Sequence, residues 1–238
     1  FADASDFTFA FVGAFEPEQI RPLIETYIAS LPSLRRDEAP RDNGMRPVRG
    51  VVEKVVRKGL EQKSQTRITF TGPFESSREN RLALGAMVDV LDMRLRDVLR
   101  EDLGGTYGVG ISQSTTRLPE PRYTVSIGFG SAPERLDELV DSVFAEIERL
   151  KVNGPSADAL AKMKEQQRRS FETSLQRNEY WTSLLMREAE TGEPAAEALD
   201  FVERLNALTP EQIREAARMY LDMANYVRVS LVPQLPTS

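Results

Sequence analysis

The chain of 238 residues has no histidine, no cysteine and a single tryptophan. Without cysteine there are no disulfides, no thiolate nucleophiles and no cysteine zinc sites. That absence fits the cytoplasm and the periplasm equally. Without histidine the usual general base, the Ser-His-Asp triad and nearly all catalytic zinc geometries are excluded. A nucleophilic serine would need a lysine base instead, and no Ser-x-x-Lys motif is apparent. Only carboxylate sites for magnesium or calcium stay open.

A basic excess is also missing. Lys and Arg number 31 against 37 Asp and Glu, a formal net charge of −6, which argues against a non-specific nucleic-acid binder. No apolar run approaches the roughly 18 residues of a membrane span. Residues 1–13 carry no basic region of the kind that opens a signal peptide. The chain begins directly in what reads as a strand, an abruptness expected of a piece of a longer polypeptide.

What remains is an ordinary globular composition, 40% hydrophobic and 29% charged, long enough to bury a core without a disulfide or metal staple. Phe7 to Val12 is apolar and β-prone and reads as a buried strand. Glu16-Pro17-Glu18 opens a helix with Ile20, Leu23, Ile24, Tyr27 and Ile28 as its apolar stripe, and Pro32 stops it. Residues 33–50, charged and interrupted by Pro and Gly, read as an exposed linker or long loop.

Val51 to Arg57 and Gln65 to Thr71 read as strands, with Gly72-Pro73 breaking the second. A long helix is expected over 77–101, with Leu82, Ala86, Leu91, Leu95 and Val98 among its apolar positions. Ile111–Thr116 and Tyr123–Phe129 read as a hairpin. The next helix runs from Pro133 to about Lys151 on Leu136, Leu139, Val143 and Ile147. Asn153-Gly154-Pro155 stops it and Ser156 caps its successor. One very long helix is expected from about Ala157 to Glu190, then a short one near 195–206. Thr209-Pro210-Glu211 is a strong helix start, and Tyr226–Val232 a last strand with alternating Val227, Val229 and Leu231. Hairpin strands followed by clustered helices predict an α+β fold, a mainly antiparallel, mixed sheet with helices on one face.

One segment carries chemistry: Leu99-Arg100-Glu101-Asp102-Leu103-Gly104-Gly105-Thr106-Tyr107-Gly108-Val109. Arg100 falls at the predicted end of a helix. Tyr107 falls just past two glycines, at the start of a strand. A guanidinium and a phenol at that corner both donate hydrogen bonds, and such donors stabilise an oxyanion when placed where charge develops. The plainer reading is an arginine that complements a helix dipole and a tyrosine that packs in a core or interface. A phosphate cradle is a further reading of GGTYGVG, but the segment lacks the Lys-Ser/Thr of a P-loop and precedes a strand. The acidic groups Glu101-Asp102 and Glu134, Asp137, Glu138 and Asp141 lack calcium-loop spacing and read as solvated helix faces, as do Glu188 and Glu190. Asn178-Glu179-Tyr180-Trp181 reads as core or interdomain packing.

The order of these segments resembles the second module of a half-unit in the pitrilysin/insulinase family of zinc metallopeptidases. The resemblance is carried by FTFAFVGAFEPEQIRPLIETYIASLP, LALGAMVDVLDMRLRDVLREDLGGTYGVGIS, and YTVSIGFGSAPERLDELVDSVFAEIERLKVNGPSADALAKMKEQ, with RNEYW and LNALTPEQIREAARMYLD following. It spans about residues 7 to 233, and its specificity lies in order and spacing rather than in one motif. It implies that Arg100 and Tyr107 are the substrate-binding, transition-state pair that reaches across a cleft to a zinc site in another half. The family's inverted His-x-x-Glu-His zinc motif has no counterpart here. The zinc is therefore expected from an N-terminal zinc-bearing half, in the same precursor or a partner subunit, and none from this chain.

The resemblance further implies a metallopeptidase half-module fold and peptides or unfolded polypeptides as substrate, with an exposed strand edge able to take up peptide by β-addition. Residues 1–238 are then one C-terminal peptidase-like module of a longer multi-module chain. Its parts are an opening strand-helix (1–32), a linker (33–50) and a sheet with helices (51–233). The chain alone is expected to be inactive and the parent to be a zinc metalloendopeptidase, with a periplasmic or cell-envelope location favoured over a cytoplasmic one. Two alternatives stand beside this: a non-catalytic scaffold or assembly subunit of the same family, and an unrelated peptide- or small-molecule-binding domain.

Overall fold

Two runs of alternating burial define the centre of the sheet. β2 (Ser64–Pro73) and β4 (Arg122–Ser131) pair antiparallel, with Ile68 opposite Ile127 and Phe70 opposite Val125, all fully buried. Their alternate residues, such as Gln65 and Arg67, point to the solvated face, as the two-residue period of a strand requires. β3 (Thr106–Thr116) pairs antiparallel with β4, and β5 (Tyr226–Val232) antiparallel with β2. β1 (Val52–Arg57) pairs parallel with β5, so the order is β1-β5-β2-β4-β3. The expected mixed, mainly antiparallel sheet is therefore present.

In this computed structural model the described residues are 2–36, 39–102 and 106–234, with side chains at 100–102, 106 and 107 also outside the description. The chain forms two compact units. The sheet belongs to one of them, Asp42–Glu165 with Leu205–Ser238.

Three helices cover the apolar face of that sheet. α2 (Arg78–Arg96) starts at Ser77, whose side chain accepts from the Asn80 amide. It buries Leu84, Met87, Val88, Leu91 and Leu95 at helical spacing, while the expected Leu82 and Val98 are only half-buried. α3 (Leu136–Asn153) buries Leu136, Leu139, Val143 and Ile147 as predicted, and Gly154 ends it at φ 71°. α7 (Pro210–Tyr220) opens with a full capping box between Thr209 and Gln212. Polar residues on the covered face are paired. Ser64 and Ser131 hydroxyls lie 2.8 Å apart, and those of Thr66 and Ser230 3.0 Å apart.

Two strand readings change in this unit. β2 does not stop at Thr71; Gly72 and Pro73 stay in the ladder opposite Tyr123 and Arg122. In β5 the alternating Val229 and Leu231 fall on the solvated side, and the buried positions are Tyr226 and Ser230. An alternation identifies a strand without saying which phase faces the core.

The other unit comprises Phe1–Arg41 and Gln166–Arg204. It contains α1 (Pro17–Tyr27), the end of α4 (Ala157–Ser174), α5 (Asn178–Thr191) and the start of α6 (Phe201–Ala207), and none of its described residues is buried. Phe7 to Val12 forms no strand here, and Phe7, Phe9 and Phe11 stay 42–45% exposed. A strand needs a neighbouring strand to take its amides, and no ladder partner is present among the described residues. The long helix expected over 157–190 is two helices, broken at Leu175–Arg177. Near the break Thr173 and Ser174 hydroxyls bond back to the Arg169 and Ser170 carbonyls, and the Trp181 indole N–H takes the Leu175 carbonyl at 2.9 Å. Phe171, Tyr180, Trp181 and Phe201 stack around it, so the lone tryptophan packs locally.

Candidate functional site

Arg100 and Tyr107 sit at either end of one corner. α2 continues past Arg96 into a π-helical turn, Asp97–Asp102, that includes Arg100. β3 then starts at Thr106, with Tyr107 as its second residue. Leu91, Leu95 and Leu99, four residues apart and fully buried, pin one face of this run to the core and so fix the phase of the turn bearing Arg100. The intervening Leu103–Gly105 and the Arg100 and Tyr107 side chains lie outside the described residues.

Both candidates fall on backbone irregularities. A π-turn inserts an extra residue into a helix, and such turns recur at functional sites. In the β3–β4 ladder Thr106 faces Ser131 and Gly108 faces Gly130, so Tyr107 is the extra residue of a register shift. Bulges of this kind re-aim a side chain and increase local twist.

The corner is braced by Asp92, which the sequence reading did not single out. Its carboxylate accepts the Ile111 backbone N–H at 3.1 Å and the Arg96 Nε at 2.7 Å. One side chain thus ties the helix leading to Arg100 to the strand leading from Tyr107. The π-turn also packs directly against β3. The only sequence signal for this brace is an acid in a helix whose i+4 neighbour is arginine, which is too common a pattern to read.

The groups with shifted acidity lie elsewhere. Burial pushes the Tyr123 phenol up to about 12, with Asp222 and Tyr220 adding to it. Its ring packs edge-on against Tyr220 and leaves room only for a hydrogen at Gly72, where a Cβ would sit 2.7 Å from the ring. The acidic residues Glu134, Asp137, Glu138 and Asp141 are all exposed, as are Glu188 and Glu190. Among the described residues no three His, Cys, Asp or Glu converge to hold a metal. With no histidine or cysteine in the chain, the donors present do not fit a catalytic zinc. No described helix is long and apolar enough to cross a membrane.

A family model described as "Peptidase M16 inactive domain" matches residues 1–167. The chain belongs to the M16 peptidase family. The resemblance read from the sequence is thus borne out, and this M16 inactive domain has zinc proteases among its relatives. It is 26% identical over 201 residues to "Zinc protease PQQL-like" of Arabidopsis thaliana, covering 79% of this chain and 21% of that one. It is 26% identical over 191 residues to "Probable zinc protease PqqL" of Haemophilus influenzae, covering 75% and 20%. It therefore spans about a fifth of the length of the curated relatives it matches.

Solved structures agree on the fold. The periplasmic protease PqqL from Escherichia coli superposes with a TM-score of 0.75 at 21% identity, over 93% of this domain and 25% of that chain. A protease from Helicobacter pylori superposes at 0.78 and 18% identity, over 93% and 54%.

Proposed function

We propose that this M16 inactive domain is the substrate-holding half of a zinc-dependent peptidase that cleaves peptides or unfolded polypeptides. In this reading residues 1–238 act as one C-terminal module. Arg100 and Tyr107 hold the scissile carbonyl, and a histidine-bearing half, in the same polypeptide or a partner subunit, supplies the zinc. The periplasm is the proposed compartment, in line with the Escherichia coli relative, a periplasmic protease.

The observation that supports this best is the placement of both candidates on consecutive backbone irregularities, the π-turn and the bulge, with Asp92 bonding the two elements together. Irregular backbone costs stability, and a corner that keeps two such features beside an arginine and a tyrosine suits the positioning of donors. Its chemistry would be to present N–H and O–H groups where negative charge grows on the carbonyl oxygen. β3 is also an edge strand, the kind of place where an extended peptide adds to a sheet.

The test is made in the assembled enzyme. Arg100→Ala and Tyr107→Phe should each lower kcat/KM by about 10²–10³, the usual loss for one oxyanion donor. This chain alone should not cleave peptides, and adding the histidine-bearing half should restore turnover. Near-normal turnover in both variants would overturn the role given to the pair and leave a scaffold.

A further inference from the structure

We infer that the cavity between α2, the C-terminal turns of α3 and the start of α4 binds a small carboxylate with a short apolar tail. The cavity has a volume of about 290 Å³ and lies wholly within the sheet-bearing unit. That is near the lower end of small-ligand pockets, roughly 300–1,000 Å³. Its floor is apolar: Val90, Leu91 and Leu150 line it, each nearly buried. Its rim is cationic, from Arg94 and Arg149.

The two guanidiniums share one carboxylate. Glu146, 5% exposed, accepts from Arg94 Nε and Nη2 on one oxygen, both at 3.3 Å, and pairs with Arg149 Nη1 through the other at 3.0 Å. Two positive charges against one negative leave a net positive rim. Arg94 Nη1 and the remaining Arg149 nitrogens have no further hydrogen bond among the described residues. Glu146 therefore acts as a fixed post that takes the Nε–Nη2 edge of Arg94 and one Nη of Arg149, leaving the Nη1 side of Arg94 and the rest of the Arg149 guanidinium for a ligand. Guanidinium forks match the two oxygens of a carboxylate.

The start of α4 closes the same cavity. Ser156 caps it through the Ala159 amide at 3.1 Å, and this 18-residue helix places its positive end beside the arginines. A ligand seated here would touch α2 through Arg94, three residues before the π-turn that contains Arg100. This site lies outside the substrate-holding role proposed above and does not depend on it.

The probe is sodium hexanoate, titrated calorimetrically into this chain, with sodium acetate and 1-hexanol as the tail-less and charge-less controls. Hexanoate should bind at one saturable site, and each control at least about tenfold more weakly, because each gives up half of the recognition. Arg149→Gln changes a largely exposed side chain and should weaken hexanoate about tenfold without lowering the melting temperature. Glu146→Gln, which raises the net rim charge, should tighten it. Absence of saturable binding would overturn the proposal, as would equal binding of 1-hexanol. So would hexanoate affinity unmoved by both substitutions while both variants melt as the parent does.

Discussion

In the unit that holds the sheet, Phe70, Phe74, Tyr123 and Tyr220 are no more than 4% exposed; in the other, Phe7, Phe9 and Phe11 are 42–45% exposed. The same residue types with the same apolar surface do different work. In the first they fill a core between sheet and helices, where burying one such side chain contributes about 1.5–3 kcal/mol. In the second they form a stripe on a segment with strand-like alternation that joins no ladder among the described residues. The comparison separates two things a hydrophobic pattern mixes together: the tendency to form an element and the presence of something to pack it against.

The largest expected contrast is a pair of truncations. Leu95→Ala, at a fully buried position of α2, should cost about 2–5 kcal/mol in denaturant unfolding. Phe9→Ala should change the same midpoint by less than about 0.5 kcal/mol. A comparable loss from Phe9→Ala would show that the aromatics of the unit without the sheet are part of the same cooperative core.

Next comes alkaline pH. Tyr123 has its folded pKa raised from 10.0 to about 12, so the neutral phenol is favoured in the folded state. The unfolded chain releases this proton first. The stabilisation is complete below about pH 10 and is lost as pH rises from there toward about 12, amounting to about 1–3 kcal/mol. Tyr123→Phe should flatten that part of the stability–pH curve; a curve of unchanged slope would remove the phenol from the account.

The smallest effect probes the other unit. Trp181→Phe keeps a ring but removes the indole N–H held by the Leu175 carbonyl, worth about 1 kcal/mol. It should speed amide hydrogen exchange in α5 while leaving the β2 and β4 amides untouched, since local openings precede global unfolding. Equal acceleration in β4 would mean that the two units open together.

These contrasts also explain what could be read in advance. The helix start at Thr209, the stop at Gly154 and the core stripe of α3 are local chemistry, and each stands where the sequence placed it. The failures are non-local. Phe7–Val12 has a strand's composition but joins no ladder among the described residues, and the Leu175 carbonyl at the helix break is taken by a tryptophan six residues further on. The candidate site divides in the same way. Its helix end and strand start were legible around Arg100 and Tyr107. The π-turn and the bulge were not, because both are matters of register between elements. Asp92 was missed for the same reason, its partner lying 19 residues away on β3.

The strand order has a consequence for how the molecule is made. β5, the last strand of this sheet in chain order, does not add to an edge; it fills the slot between β1 and β2. Among the described residues β1 pairs with β5 alone, 175 residues later at Glu53 opposite Arg228, so it has no ladder until the rest of this sheet has been made. The β3–β4 hairpin can form early from nearby contacts and β2 adds beside β4, but the sheet closes only when Tyr226–Val232 arrives. A nascent chain halted before Tyr226 would expose two strand edges facing an empty slot, the kind of surface that chaperones shield.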